Sequence, residues 1–228
     1  MGIKITALLL LVVGALAVRA QNTTCVDISD EPNHQLLLEN GNVQIFQLDL
    51  PRLKTTDVFC VGHPYIRIVV TEGQTSDLAL GGPVSVGHDW KAGEARFIYE
   101  PTPKSVRNER GTAFREYDIE MTKLFEYNPL EVNDSDLFLA GPTGLQRTET
   151  VSVARGSVVA SSTVLAPNDV LLVPDGDHFL IAITDVHLTS PHQKVALAST
   201  EATRLSSSAP LRLKNSGSSP ARFILVDF

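Results

Sequence analysis

Apolar residues recur along this chain either at every second position or in short unbroken runs, and no stretch sustains a helical period over three turns. A period of two sends successive side chains to opposite faces of an extended strand. In LLLENGNVQIFQLDLP, Asn40-Gly41-Asn42 separates two apolar stretches, which predicts a hairpin or a turn into a strand with Val43, Ile45 and Leu48 on or near one face. Tyr65 to Glu72 (YIRIVVTE) is β-branched and almost continuously apolar except at Arg67, as expected of a strand buried in a barrel wall or sandwich. Gly81-Gly82-Pro83 and Gly87-His88-Asp89 punctuate loops, and Arg96 to Tyr99, Ser105 to Asn108 and Ala113 to Met121 read as further strands. In the last of these Tyr117, Ile119 and Met121 share one face and Glu116, Asp118 and Glu120 the other, which predicts a half-exposed strand. Arg67, Arg96 and Arg107 are the expected cross-strand partners of that acidic row. The rhythm lapses over 122–149, where turn residues cluster and a short helix has room, and resumes as VSVA, VVASSTVL, VLLV, HFLIAITD, VALAS, LRL and RFILVDF. Short strands divided by turns at about ten-residue spacing predict an all-β sandwich or barrel.

The pattern also repeats. Gly93 to Met121 aligns without a gap on Thr200 to Phe228, so that Glu94, Ala95, Pro103, Asn108 and Arg115 fall on Glu201, Ala202, Pro210, Asn215 and Arg222. Ile98 with Leu205, Val106 with Leu213, Arg107 with Lys214, Ile119 with Val226 and Glu120 with Asp227 are conservative pairs. A duplication into two similar domains is the expectation. Its boundaries are a leader at 1–20, an N-terminal arm at 21–35, a first domain at 36–121, a linker at 122–149 and a second, degenerate domain at 150–228.

Composition adds the compartment. Residues 1–20 have a basic start at Lys4, a run from Ile5 to Val18 that is apolar but for Thr6, and a small-residue exit before Gln21. That is the form of a secretory signal peptide, and the run is too short for the roughly 20 residues of a bilayer span. The expected location is secreted or periplasmic, with no membrane association after cleavage. Without the leader, 17 basic side chains face 26 acidic ones, a net charge of −9. Such an acidic chain argues against nucleic-acid partners, whose phosphates demand a basic face. Cys25 and Cys60 in an exported chain predict a disulfide pinning the arm to the first domain; the alternative is two unpaired thiols, with Cys60 a small buried hydrophobe. Asn22-Thr23-Thr24 and Asn133-Asp134-Ser135 satisfy the N-glycosylation pattern.

The repeated stretch resembles the second conserved motif of the cupin superfamily, which runs Gly, five residues, Pro, one, Gly, two, His, three, Asn. Gly93 and Asn108 match, Tyr99 and Pro101 replace the inner Pro and Gly, and Lys104 stands at the metal-binding His. The preceding segment is similar to the first cupin motif. Anchored on Gly73, it puts Phe59 and Val61 at the two His positions and Ile66 at the Glu; the shorter spacing gives Cys60 and Gly62 instead. In the second copy Thr200, Ser206, Ser208 and Leu211 occupy the Gly, Pro, Gly and His positions, and Asn215 alone is kept. The resemblance implies a bicupin: two double-stranded β-helix (jelly-roll) barrels, both with degenerate metal motifs, in a family whose barrels often pair as homodimers.

Cupin enzymes that use iron, manganese or zinc need three or four nitrogen or oxygen ligands converging in the barrel. Phe59, Val61, Ile66 and Lys104 supply three apolar groups and a cation, so no metal and no other cofactor is expected. Phe59, Val61, His63, Tyr65 and Lys104 are the candidate ligand-binding residues for a small polar or anionic molecule. The leading expectation is therefore a binding or structural module. If the protein is an enzyme, a metal-free isomerase or epimerase acting on a sugar or organic acid, His63, Tyr65 and Lys104 are the candidate catalytic groups, with Lys104 on an anionic group and His63 as acid or base. Against this, His63 capping a strand and Lys104 reaching solvent are the plainer roles. A metal-dependent oxygenase with a site rebuilt from His63, His88, Asp89 and Glu100 is the residual possibility. His178, His187 and His192 read as surface histidines. Neither a phosphate-binding Gly-rich loop nor a nucleophile elbow occurs.

Overall fold

The computed structural model describes residues 24–85, 87–99, 101–123, 137–139, 149–155 and 158–228. The leader, the acceptor asparagines of both N-glycosylation patterns, Glu100 and most of the 122–149 segment lie outside them, as does the room for a short helix.

Among the described residues the first half forms β1 (Val26–Asp27), β2 (His34–Glu39), β3 (Val43–Leu50), β4 (Phe59–Cys60) and β5 (Tyr65–Val69). It continues with β6 (Gly73–Ala79), β7 (His88–Trp90), β8 (Glu94–Ile98), β9 (Lys104–Asn108), β10 (Phe114–Met121) and β11 (Leu137–Leu139). Two sheets result, ordered β1-β4-β9-β6-β7 and β11-β8-β5-β10-β3-β2. The second half forms β12 (Glu149–Arg155), β13 (Val158–Leu165), β14 (Val170–Val173), β15 (Gly176–Ala182) and β16 (Val186–Thr189). Then come β17 (Lys194–Leu197), β18 (Ala202–Ser207), β19 (Leu211–Asn215) and β20 (Ala221–Asp227), in sheets ordered β12-β13-β20-β15-β18 and β14-β19-β16-β17. In each half the chain crosses repeatedly between the two sheets, with hairpins such as β2–β3 and β16–β17 within one sheet, so each half is a jelly-roll barrel.

Local chemistry explains the joins. The β2–β3 turn forms where the Asn40 carboxamide oxygen accepts the N–H groups of Asn42 (2.7 Å) and Val43 (2.9 Å), satisfying donors that the tight turn leaves over. The arm is already part of the fold: β1 pairs parallel with β4, a disulfide joins Cys25 to Cys60 with their Cα atoms 5.5 Å apart, and β2 begins at His34. The buried Glu31 carboxylate holds the bend between them, accepting from the Asn33 backbone and side chain and from the Asp57 N–H, with His34 Nδ1 at 2.6 Å. Two strands depart from the hydrophobic pattern. β6 (GQTSDLA) has few apolar residues, and HFLIAITD ends as a strand at Ala182, after which the chain turns into β16.

Three apolar clusters fill the molecule. Phe46, Leu48, Leu50, Phe59, Val69, Val106 and Phe114 pack inside the first barrel, and Leu165, Leu180, Leu188, Leu205, Leu213, Phe223 and Leu225 inside the second. The largest lies between the barrels. Val43, Ile45, Ile66, Ile68, Phe97, Tyr117, Ile119 and Met121, on the outer face of the six-stranded sheet, meet Val158, Ala160, Phe179, Ile181, Ile224 and Val226 of the second barrel. β10 is thus not half-exposed. Its apolar face is buried against the other barrel and its acidic face lines its own, with Glu116, Asp118 and Glu120 all buried.

The five residues identical in the repeat include three with the same task in both barrels. Glu94 accepts the Lys91 N–H (3.1 Å) and Glu201 the Ala198 N–H (2.8 Å), closing the turn before the strand. Asn108 Nδ2 donates to Leu50 O (3.2 Å) and Thr112 O (2.7 Å), and Asn215 Nδ2 to Leu165 O (2.8 Å) and Ser219 O (2.9 Å). The Arg115 and Arg222 N–H groups donate to Thr71 Oγ1 (2.8 Å) and Thr184 Oγ1 (2.9 Å).

Candidate functional site

Inside the first barrel the inward positions of β5 and β10 carry ionisable groups. Register pairs Arg67 with Asp118 and Tyr65 with Glu120 across these strands, and β6 and β9 add Asp77 and Lys104 from the facing sheet. Arg67 is 2 % exposed, Glu116 0 % and Asp118 1 %. Arg67 Nε lies 3.2 Å from Glu116 Oε1 and 3.7 Å from Asp118 Oδ1, and Nη1 lies 3.7 Å from Asp77 Oδ2. Lys104 Nζ donates to Asp77 Oδ2 at 2.6 Å. Arg67 Nη2, the Tyr65 hydroxyl and the oxygens of Glu116 and Asp118 have no aligned hydrogen bond among the described residues.

Burial sets the protonation of this cluster. Desolvation pushes Glu116 up to about 8, with Asp118 and Asp77 adding to the rise while Arg67 and Lys104 oppose it, so at neutral pH the carboxyl keeps its proton. Burial acts to raise Asp77 too, but Arg67 and Lys104 outweigh it and hold that carboxyl below its usual range. Burial and Arg67 work to lower Lys104, and Tyr65 and Asp77 overcome them, so its ammonium is held above its ordinary value. Burial raises the Tyr65 phenol.

A cavity of about 220 Å³ opens beside these groups, lined by Arg67, Thr75, Asp77, Trp90, Arg96 and Lys104 among others. The Arg67 and Arg96 guanidinium carbons stand 5.8 and 5.1 Å from the centroid of the Trp90 ring, whose indole N–H is fixed on Thr75 Oγ1 at 2.8 Å. A wider cleft of about 620 Å³ on the rim, lined by Glu72, Asp89, Trp90, Lys91 and Arg110 among others, is crossed by the exposed Arg110–Asp89 pair.

The structure brings together only some of the residues singled out from the sequence. Tyr65 and Lys104 belong to the charged cluster. Phe59 is buried in the apolar part of the interior and Val61 packs against that part from its edge. His63 is half-buried with Nδ1 2.8 Å from Glu120 Oε1. Ile66 faces the second barrel. Of the rebuilt set, His88 Nε2 is 2.9 Å from Glu94 Oε1 and Asp89 pairs with Arg110. Among the described residues no group of three or more His, Cys, Asp or Glu side chains is placed to hold a metal ion. His178 is not a surface residue: it is buried, Nδ1 2.5 Å from Asp227 Oδ1 and Nε2 3.0 Å from Pro174 O, whereas His187 and His192 are exposed. Of the three arginines expected to face the acidic row, Arg67 does; Arg96 lies over Trp90, and Arg107 pairs with Glu109 at 3.2 Å.

Arg67, Asp77, Trp90, Arg96, Glu116 and Asp118 are the site residues that the sequence candidates did not include. For Arg67, Glu116 and Asp118 the repeat carried the signal. Lys104, Glu116 and Asp118 align with Leu211, Phe223 and Leu225, and in the strand pairing Arg67–Asp118 of the first barrel corresponds to Leu180–Leu225 of the second. A charge where the sister copy packs an aliphatic or aromatic side chain marks an interior given over to something besides packing.

No family model and no curated protein matches the sequence. Solved structures do resemble the fold. A protein from Pseudomonas aeruginosa described as glyoxylate-induced superposes with a TM-score of 0.61 at 16% identity, over 86% of this chain and 81% of its own. A cupin 2 conserved barrel domain protein from Leptotrichia buccalis gives 0.55 at 10% identity, over 85% and 87%. The oxalate decarboxylase of Lactobacillus farciminis gives 0.54 at 10% identity, over 88% and 84%. Two jelly-roll barrels in tandem, and these likenesses along most of the chain, show that it adopts the cupin fold in duplicate.

Proposed function

We propose that the protein is an exported, metal-free bicupin that binds a small anionic molecule in its first barrel, with the second barrel as a structural partner. The observation that carries this reading is the contrast between the two interiors. Apolar packing of the second barrel's kind is equal or superior for stability to buried ion pairs. The first barrel nonetheless holds Arg67, Lys104, Asp77, Glu116 and Asp118, next to a cavity that two guanidinium groups and an ammonium line. Where the cupin resemblance puts metal ligands, Phe59 and Ile66 offer no donor, and the Lys104 ammonium repels a divalent cation. Export is supported by the leader pattern and by the Cys25–Cys60 disulfide, a bond that persists in oxidising compartments.

The test is thermal unfolding of the mature chain with small carboxylates, phosphate and sulfate at fixed ionic strength, together with metal quantification after chelator-free purification. Wild type is expected to be stabilised and Arg96→Gln not. A stoichiometric transition metal, or no stabilisation by any anion, overturns the reading. A second reading, a metal-free isomerase or epimerase, is favoured by Glu116, which keeps a proton behind Arg67, 3.2 Å from the guanidinium that lines the cavity. It requires solvent deuterium to enter a bound acid or sugar, and to stop doing so in Glu116→Gln.

A further inference from the structure

We propose that the anion is a small hydroxy monocarboxylic acid, its carboxylate held by Arg96 and Arg67 beside Trp90 and its hydroxyl seated on the Lys104–Asp77 pair; this rests on the anion-site reading above. The two arginines differ in their surroundings. Arg67 Nε lies 3.2 Å from Glu116 and 3.7 Å from Asp118, yet neither Nε nor Nη2 has an aligned hydrogen bond among the described residues although the side chain is buried on the cavity wall. Arg96 lines the same cavity, rests on Trp90, and with Arg67 and Lys104 helps to hold the Asp77 carboxyl ionised. Two guanidinium groups against one aromatic ring provide planar N–H donors of the kind that match a carboxylate.

The facing sheet adds different chemistry, with Asp77 Oδ2 3.7 Å from Arg67 Nη1 and bonded to Lys104. Lys104 spends one donor on Asp77 and keeps others, while Asp77 stays an ionised acceptor. A donor and an acceptor 2.6 Å apart suit a group that both accepts and donates, which a hydroxyl does and a carboxylate does not. An acid lacking the hydroxyl leaves both without a match, and a second carboxylate in that place meets the Asp77 charge. The cavity, about 220 Å³, falls below the roughly 300–1,000 Å³ of pockets for drug-sized ligands, so the acid has only a few carbons.

Calorimetric titration of the disulfide-bonded mature chain distinguishes the outcomes. Glycolate, lactate and glycerate are compared with acetate, propionate, malonate and glycerol. At least one hydroxy acid is expected to bind about tenfold or more tighter than its deoxy counterpart, with malonate and glycerol weaker still. Asp77→Asn is expected to shrink that preference, and Arg96→Gln to weaken hydroxy and deoxy acids alike, with circular dichroism confirming that both variants fold. Should either fail to fold, the wild-type series decides alone. Equal binding of hydroxy and deoxy acids, or tighter binding of malonate, overturns the hydroxy-acid assignment while the anion site stands. If neither the acids nor phosphate and sulfate bind, the anion-site reading itself fails.

Discussion

The Tyr117 phenol, on the outer face of the first barrel, donates a 2.7 Å hydrogen bond to the carbonyl oxygen of Thr200 in the second. Thr200 stands where the first copy has Gly93, and the two share the left-handed region, with φ of 73° and 86°. For a β-branched residue that conformation is strained, by about 1–3 kcal/mol. Arg115 Nη1, 3.1 Å from Thr200 Oγ1, joins Tyr117 in gripping the turn. One barrel thus clamps a strained turn of the other.

Tyr117→Phe keeps the ring and its edge contact with Phe179, 6.2 Å between centroids, and removes only the hydroxyl. The expected loss is about 1 kcal/mol of unfolding free energy, the worth of a hydrogen bond whose acceptor is left partly buried. Urea denaturation measures it, and a midpoint unchanged from wild type would show that the clamp carries no energy.

Asn108 and Asn215 each tie the end of an early strand to the loop after their own, through buried amides that reach three carbonyls at Asn108 and two at Asn215. Alanine at either position strands those carbonyls and opens a small void, so each variant is expected to lose about 2–4 kcal/mol. Similar losses at the two sites are the outcome expected of a duplicated structural role, measured by denaturant titration of the single variants. A loss at Asn108 alone would contradict it.

These equivalences were legible because a turn geometry needs particular residues, and Glu94/Glu201 and Asn108/Asn215 survive duplication for that reason. The charged interior was not legible from period two, which separates the faces of β10 without saying what covers each. Tyr117, Ile119 and Met121 were read as the core side and the acids as the wet side, yet the second barrel buries the former and the first encloses the latter. β6 escaped notice for a related reason: Gln74, Thr75, Ser76 and Asp77 give no apolar alternation, because Asp77 and Thr75 line the cavity.

The disulfide closes a loop of 35 residues and fastens β1 next to β4. Constraining the unfolded chain over such a loop contributes about 3–4 kcal/mol. Cys25→Ala/Cys60→Ala is expected to lose that much and to expose the arm to proteolysis near Val26, while its first-barrel cavity, formed by β5 to β9, keeps its ligand response. Intact mass after alkylation with and without reduction checks the bond directly: two thiols alkylated in the native, unreduced protein would refute it.

Glu116 makes a pH prediction of defined sign. Its carboxyl titrates near 8 in the folded barrel because burial outweighs Arg67 and Lys104, with Asp118 and Asp77 assisting, whereas in the unfolded chain it titrates near 4.5. Below the lower value the proton is bound in both states and nothing is lost. Between the two values the folded state holds a proton that the unfolded state releases, so stability falls as pH rises, on the order of 1 kcal/mol per unit, and levels off above the upper value. Glu116→Gln keeps the shape without the titration and leaves the opposing contribution of Asp77 in both proteins. The stability of the variant relative to wild type is therefore expected to climb from pH 5 to 8 and to flatten beyond. Guanidinium denaturation of both at pH 5, 6.5, 8 and 9 decides; parallel curves would mean that Glu116 is ionised inside the barrel and that the cluster carries one more negative charge than its burial implies.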